Sequence, residues 1–280
     1  MTVRTGRPAW LTVRAPSGER VEAVSGVLSR HGLRTVCREA RCPNLGECWG
    51  AGTATVILLG GVCTRGCAFC SVVAGTPAPP DPSEPERVAG AAAELGWRHV
   101  VVTSVTRDDL PDGGAGHFAR TVAALRRGAP RASVELLVPD FGGSAEALRA
   151  VVDSAPDILA HNVETVPRLY PAVRRGAEYG RSLALLRRAA ALAPSLPLKS
   201  GILVGFGERE EEVVAVFRDL FGAGCRFLTV GQYLPPSRGH LPAAEYLPPG
   251  RFESLGNAAR AIGFAGVLSG PLVRSSYRAG

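Results

Sequence analysis

The chain has 280 residues, of which 46% are hydrophobic, so it can bury a sizeable core and is not a disordered protein. Its first residues lack the apolar run of a signal peptide, and no stretch reaches the roughly 18 apolar residues that span a bilayer. We therefore expect a soluble, cytoplasmic protein. The net charge of +7 fits nucleic acid, membrane headgroups or an acidic partner, because long-range attraction does not depend on chemistry.

The predicted elements begin with one amphipathic helix at 21–31, inside an N-terminal extension that otherwise has no period. From residue 55 onward, apolar β-rich runs alternate with segments of helical period, which is typical of repeated βα units. Strands are predicted at 55–60, 99–104, 133–138, 157–163, 196–204 and 227–233. Helices are predicted at 84–95, 116–127, 144–154, 180–193, 208–221 and 251–262.

Six βα units favour an open, partial (β/α)6 TIM-like barrel with extensions at both ends, and a doubly wound sheet is the alternative. Nearly every predicted strand ends in polar or charged residues, and barrel active sites lie at that face, which favours the barrel. We predict three segments: an N-terminal extension (1–53), the barrel (54–264) and a C-terminal segment (265–280).

Cys63, Cys67 and Cys70 form a CxxxCxxC motif directly after the first predicted strand. Three thiolates so close together suit three corners of a 4Fe–4S cluster, and the missing fourth ligand leaves one iron free. S-adenosylmethionine (SAM) can chelate that iron, and a single electron can then cleave it to a 5′-deoxyadenosyl radical. A zinc site is the alternative, but structural zinc prefers four ligands, and a fourth is not evident beside this triplet.

Cys37, Cys42 and Cys48 form a second motif, CxxxxCxxxxxC. By its spacing alone this triplet suits zinc, a cluster or redox chemistry. Its position beside the first triplet favours a second 4Fe–4S cluster with one ligand that is not cysteine. Cys225 stands alone near a predicted strand and is interpreted as a buried structural residue.

The order CREARCPNLGECW, GTAT and CTRGCAFC resembles the two cysteine motifs of lipoyl synthase, and the C-terminal RSSY is similar to that family's closing motif. Further matches, such as HNVETVPRLYPAVRR and KSGILVGFGE, extend the resemblance over nearly the entire chain. Thr106, Arg209 and Pro235 depart from the family pattern. A radical SAM enzyme resembling biotin synthase, and a basic iron–sulfur or zinc protein that binds nucleic acid, are the alternatives. The N-terminal triplet and RSSY argue against the first, and the scattered aromatic residues argue against the second.

The resemblance implies insertion of two sulfur atoms at the sixth and eighth carbons of a protein-bound octanoyl-lysine. It implies that the Cys63 triplet cleaves SAM, that the cluster of the Cys37 triplet (the auxiliary cluster) is consumed as sulfur donor, and that Ser276 of RSSY is its fourth ligand. The implied partners are octanoylated lipoyl-carrier domains, from a 2-oxoacid dehydrogenase acyltransferase or the glycine cleavage H protein, an electron donor such as flavodoxin or ferredoxin, and a carrier protein that rebuilds the cluster. We expect a monomer that binds neither nucleic acid nor membrane.

Four residues are predicted to bind SAM. Lys199 lies in an otherwise apolar strand, so we expect it to point to the barrel mouth and meet an anion such as the SAM carboxylate, the alternative being that it extends to solvent. Asn162 and Glu164 share one face by two-residue alternation, and we expect them to bind SAM hydroxyls or its ammonium. Ser104 is a candidate of the same kind. His161 is expected to point the other way as a structural residue.

Overall fold

Strands and helices alternate along most of the chain in the computed structural model, which describes residues 8–13 and 17–277. The outermost parts of the predicted segments 1–53 and 265–280 lie outside the described residues. The strands are β1 (Arg34–Thr35), β2 (Thr55–Leu58), β3 (Val62–Cys63), β4 (Val73–Ala74), β5 (His99–Ser104), β6 (Ser133–Leu137), β7 (Ile158–Ala160), β8 (Leu198–Val204), β9 (Phe227–Gln232) and β10 (Gly266–Gly270).

Ten α-helices and three short 3₁₀ helices accompany these strands in the part of the chain that the structure describes. The α-helices are α1 (Glu19–Arg30), α2 (Val36–Glu39), α3 (Leu45–Gly50), α4 (Glu84–Glu94), α5 (Ala115–Gly128), α6 (Ala145–Asp153), α7 (Tyr170–Val173), α8 (Tyr179–Leu192), α9 (Glu210–Gly222) and α10 (Pro249–Ile262). The 3₁₀ helices are Ala9–Leu11, Phe141–Gly143 and Pro167–Leu169. All seven predicted helices are present, and their observed ends lie within two residues of the predicted ones.

One eight-stranded sheet has the order β1-β2-β5-β6-β7-β8-β9-β10. Every neighbouring pair is parallel except β1 and β2. The central strands are nearly continuous buried runs because helices cover the sheet, as parallel sheets require. The predicted open, partial barrel is therefore confirmed, with β2 and β5 to β9 as its six predicted strands.

β10 is a seventh parallel strand that the sequence analysis did not predict. It pairs with β9 along its whole length, from Gly266 opposite Phe227 to Gly270 opposite Gly231. Its short sequence GVLSG is rich in glycine and serine, which are typical of turns, so it carries no strand signal. The strand begins inside the segment 265–280 that the sequence analysis had separated from the barrel.

A continuous hydrophobic core joins the N-terminal extension to the barrel. Leu28 of α1 and Trp49 of α3 are buried in the same cluster as Val56 of β2 and Phe252 of α10. The extension is therefore held by the barrel's own core and contributes its cysteines from a fixed position. Cys225 is also fully buried, and burial raises the pKa of its thiol to about 12, as expected of a structural cysteine.

Within the described residues, no helix combines the length and the apolar character that a membrane crossing requires.

Candidate active site

A cavity of about 740 Å³ lies at the carboxyl ends of the parallel strands. Three of the four predicted SAM-binding residues line it, together with all three cysteines of the Cys63 triplet. The lining residues among the sequence predictions are Cys42, Cys63, Cys67, Cys70, Ser104, Asn162 and Glu164. Apart from Cys42 of the N-terminal extension, these side chains lie at or after the carboxyl ends of different strands, so the parallel sheet is what brings them together.

The Cys63 triplet lies in a loop that a small second sheet closes. β3, which ends at Cys63, pairs with β4 at Val73 and Ala74. The Cys63 Sγ accepts hydrogen bonds from the backbone N–H groups of Arg65 at 3.4 Å and Thr106 at 3.3 Å, and such bonds stabilise a ligating thiolate. Burial raises the pKa of the Cys70 thiol to about 11, so the thiol needs a metal's positive charge to ionise at neutral pH.

Arg65, inside the CxxxCxxC motif, anchors this loop to the barrel. Its Nη2 lies 2.7 Å from Asp108 Oδ1 and 2.8 Å from Asp140 Oδ1. Burial raises the pKa of Asp140, but the hydrogen bonds and charge of Arg65 outweigh it and bring that pKa to about 2. Sequence reasoning missed Arg65, although a basic residue between two thiolate ligands was a usable signal.

Buried polar atoms without partners surround the same cavity. Ser104 Oγ, Asn162 Oδ1 and Arg174 Nε make no hydrogen bond within the described residues. Such atoms are costly unless something pairs with them, so their convergence on one cavity indicates a polar ligand. Arg174 follows α7 in a run of two arginines, and no pattern in the sequence distinguished it.

Glu164 is held in an uncommon backbone conformation at the edge of this cavity. Its φ is +64°, in the left-handed region, and strain of this kind is concentrated at functional sites. Its Oε1 accepts a 3.0 Å hydrogen bond from Asn162 Nδ2, so the two side chains meet, although β7 ends at Ala160 and they do not alternate along a strand as predicted. Burial raises the pKa of Glu164, while the charge of Arg174 and the bond from Asn162 act in the opposite direction.

Lys199 does not reach the cavity, which corrects its predicted contact with SAM. Its Nζ lies 2.8 Å from Glu135 Oε1, and both side chains are buried inside the barrel. Glu135 also lies 3.4 Å from His99 Nε2. Lys199 is at the N-terminal end of β8, so its charge is neutralised at the floor of the barrel rather than at its mouth. His161 is structural as expected, since its two ring nitrogens bond to the Val138 carbonyl and Ser182 Oγ, but it lines the same cavity rather than pointing the other way.

A second, smaller space adjoins the cavity and is lined by the other cysteine triplet and the C-terminal serine. We call it the auxiliary chamber, and it is lined by Cys37, Cys42, Asn44, Cys48, Thr53, Ala54, Thr55, His99, Val101, Arg274, Ser276 and Tyr277. Cys42 and Arg274 line both spaces. Burial raises the pKa of Cys42, whereas the backbone N–H of Asn44 and the charge of Arg274 lower it.

The donor sets fit iron–sulfur clusters. Each space is lined by one complete cysteine triplet, the ligands that such clusters prefer, and the auxiliary chamber adds the hydroxyl of Ser276. Among residues 8–13 and 17–277, no three His, Cys, Asp or Glu side chains converge as ligands of a single metal ion do. Thiolates at the corners of a four-iron cube stand farther apart than those around one zinc ion, so a cluster does not require such convergence.

Comparison with known proteins agrees with this site. Residues 57–220 match the Radical SAM superfamily, so the fold and the cysteine loop define a radical SAM enzyme. The chain belongs, within that superfamily, to the lipoyl synthase family. It is 55% identical over 98% of its length to the lipoyl synthase of Methylococcus capsulatus, covering 85% of that protein, and 55% identical over 98% to that of Geobacter metallireducens, covering 96%.

Two solved structures of other proteins share the fold. A structure of HydG, a maturase of the [FeFe]-hydrogenase, aligns with 75% of this chain and 50% of its own at a TM-score of 0.58 and 17% identity. A structure of methylornithine synthase aligns with 90% of this chain and 78% of its own at a TM-score of 0.53 and 15% identity. Family membership confirms the predicted enzyme class and its cofactors, SAM and 4Fe–4S clusters.

Proposed function

We propose that this chain inserts sulfur at the sixth and eighth carbons of an octanoyl chain carried on a lysine of a lipoyl-carrier domain. The observation that carries the proposal is that the two cysteine triplets line adjoining spaces, with Cys42 and Arg274 common to both. A substrate in the large cavity therefore lies against the Cys63 triplet and next to the auxiliary chamber.

The two triplets have different tasks in this proposal. Cys63, Cys67 and Cys70 hold the cluster that binds SAM, while Cys37, Cys42, Cys48 and Ser276 hold the auxiliary cluster. When bound, SAM and the first cluster supply a carbon-centred radical, and the auxiliary cluster supplies sulfur. A hydroxyl oxygen is a harder ligand than a thiolate, which suits a cluster that must come apart.

Four polar residues that line the cavity bind SAM. Ser104, Asn162 and Glu164 present oxygens to the hydroxyl and ammonium groups of SAM, as expected from the sequence, and Arg174 adds a cation for its carboxylate. Arg174 takes the role that the sequence analysis gave to Lys199. Its guanidinium is fixed for this task because Nη1 already donates to the Asn162 carbonyl at 2.9 Å and to Tyr170 Oη at 3.1 Å.

Apolar side chains give the cavity a surface that can bind an alkyl chain. Ile57, Leu137 and Ile202 line it from β2, β6 and β8, and Phe69 and Tyr233 add aromatic surface. An octanoyl chain has no polar group beyond its carbonyl, so burial of its methylenes stabilises binding by about 0.8 kcal/mol each. Excluding water also protects a carbon radical from side reactions.

The partners follow from the same function. The carrier is the octanoylated domain of a 2-oxoacid dehydrogenase acyltransferase or the glycine cleavage H protein, the electron donor is a flavodoxin or ferredoxin, and a carrier protein rebuilds the auxiliary cluster. We place this monomeric enzyme in the cytoplasm, without nucleic acid or membrane as partner. Segment 1–53 supplies the auxiliary cysteines, 54–264 the SAM site and 265–280 the serine ligand.

Replacing Cys37, Cys42 and Cys48 together with Ala tests this division of labour. Reductive cleavage of SAM should persist at near the wild-type rate, while conversion of an octanoyl-lysine peptide to lipoyl-lysine, followed by mass spectrometry, should be abolished. Cys225→Ala is the matched control, because that cysteine is buried outside both spaces, and it should keep both activities. Lipoyl product from the triple variant would show that its cluster is not the sulfur donor.

A further inference from the structure

The GTAT segment (residues 52–55) directly links the two parts of the auxiliary chamber. It follows α3, which carries Cys48, and it ends at Thr55, the first residue of β2. Neither the cluster assignments nor the SAM site gives this segment a task. Its threonines nevertheless line the chamber beside the cysteines and Ser276.

The first half of the segment is bonded to Cys48. The backbone N–H of Thr53 donates to the Cys48 carbonyl at 2.8 Å, and Thr53 Oγ1 donates to the same oxygen at 3.1 Å. Gly52 has a φ of +78°, so the chain turns back at the end of α3 in a conformation that glycine adopts without strain. These bonds fix the helix end that presents the Cys48 thiol.

The second half of the segment is bonded to Ser276. Thr55 Oγ1 donates a 2.7 Å hydrogen bond to Ser276 Oγ, across 221 residues of sequence. Thr55 is only 3% exposed, and its backbone is fixed in the sheet opposite Val101. The hydroxyl that meets Ser276 therefore sits on one of the most constrained positions of the chamber.

We propose that Thr55 is the positioning residue of the serine ligand, and that the GTAT segment is a brace that sets Cys48 and Ser276 at a fixed separation. This rests on the proposed role of Ser276. A serine that binds iron through its oxygen accepts hydrogen bonds there and donates none, and Thr55 supplies a donor in the matching direction. A hydrogen bond to a charged oxygen in a site shielded from water is stronger than one between neutral groups.

Removing such a supporting hydrogen bond weakens a metal site by about 10-fold to 100-fold. The test uses full-length chain with Cys63, Cys67 and Cys70 changed to Ala, so that only the auxiliary cluster is reconstituted. Thr55→Val keeps the shape of the side chain and removes the donor. We expect an altered Mössbauer signal for the iron that binds Ser276, and iron loss to a chelator about 10-fold faster or more. Thr55→Ser, which retains the donor, should resemble the parent.

Ser276→Ala separates this proposal from the one on which it rests. In that background, Thr55→Val should have no further effect on the Mössbauer signal or on iron loss, because the bond it removes no longer exists. Thr121→Val is the control for loss of a buried threonine hydroxyl elsewhere, since Thr121 Oγ1 donates to the His117 carbonyl in α5, and it should change neither readout.

Three outcomes would overturn an assignment. If Ser276→Ala changes the cluster and Thr55→Val does not, the brace is wrong and the serine ligand stands. If Ser276→Ala itself leaves both readouts unchanged, the serine ligand is wrong. If Thr55→Val and Ser276→Ala act additively, Thr55 does not act through Ser276. Should Thr55→Val fail to fold, Thr55→Ala provides the same comparison against Thr55→Ser.

Discussion

The single lysine of this chain has a structural role because its partner is a buried carboxylate. Lys199 and Glu135 form a buried ion pair with Nζ and Oε1 2.8 Å apart, and His99 lies beside the same carboxylate. Burial raises the pKa of Glu135, but the neighbouring His99 imidazole and the charge of Lys199 prevail and lower it. Glu135 is therefore ionised at neutral pH and neutralises a cation that the low-dielectric interior would otherwise exclude.

Lys199→Met should cost about 3–5 kcal/mol of unfolding free energy, because Glu135 is left as an unpaired buried charge. The affinity of the folded variant for SAM should be unchanged, since Lys199 does not line the cavity. Denaturant unfolding and SAM binding measure the two effects separately. Lys199→Met with Glu135→Gln should recover part of the stability. A variant of normal stability that binds SAM tenfold more weakly would restore the original prediction.

The sequence predicted the cysteines and the polar residues after the strands, because short spacings and strand periodicity are local signals. It misplaced Lys199, whose partner is 64 residues away on another strand. It missed Arg174 for a related reason: this chain has 32 basic residues, and only the fold shows that Arg174 faces the cavity.

Two departures from the family pattern have simple explanations at this scale. Thr106 contacts the cluster loop through its backbone, donating to Cys63 Sγ and accepting from the Thr64 N–H at 3.1 Å. Its side chain can therefore vary without altering these bonds. Arg209 is the N-cap of α9, and its backbone N–H donates to Glu212 Oε2 at 2.8 Å. Nothing in the structure explains Pro235.

The C-terminal segment is the element that completes the auxiliary chamber. It crosses so close to β9 that a side chain at Gly231 would meet the Val273 carbonyl at 2.1 Å, so only glycine fits there. Asn44 Nδ2 donates to the Leu272 carbonyl at 2.6 Å, and Tyr277 Oη donates to Glu47 at 2.9 Å. The N-terminal extension thus holds the C-terminal segment directly.

Asn44→Ala should weaken the packing of the C-terminal segment on the N-terminal extension by about 1–3 kcal/mol of free energy. The substitution removes the hydrogen bond of a buried side chain and leaves the Leu272 carbonyl unpaired. Iron of the auxiliary cluster should then be lost to a chelator faster, while iron of the Cys63 cluster is retained. Tyr277→Phe removes a more exposed bond and should have the smaller effect. Equal loss from both clusters would mean that Asn44 supports the whole fold rather than this segment.

A strand could be predicted from the sequence where it is a run of buried apolar residues. A strand without such a run could not. β2 and β5 are almost wholly buried and have continuous apolar sequences. β10 has no fully buried residue and ends in glycine, because it lies at an edge of the sheet. The contact between the GTAT segment and RSSY joins residues from opposite ends of the chain, which no local pattern reveals.

At the scale of the whole molecule, the net charge of +7 bears on association. Arg41, exposed beside the cavity, is one of the cations that an incoming carrier domain would meet. If the positive charge steers an acidic carrier, the apparent KM for octanoylated carrier protein should rise with ionic strength while kcat changes little. SAM cleavage without carrier should be insensitive to salt.

Gel-shift titrations with duplex and single-stranded DNA and RNA test the competing explanation of the same charge. We expect only weak binding, because the chain lacks the interleaved aromatic residues on which bases stack. An apparent KM that does not change with ionic strength, together with tight nucleic-acid binding, would mean that the positive charge does not serve to attract the carrier.

Counting iron tests the central claim, that the molecule holds two separate 4Fe–4S clusters in adjoining spaces. Anaerobically reconstituted wild-type protein should hold about eight irons per chain. Changing either cysteine triplet to Ala should leave about four, because each triplet lines its own space with only Cys42 reaching both. A protein loaded with zinc and free of iron, or one that loses all its iron with either triplet, would contradict the account.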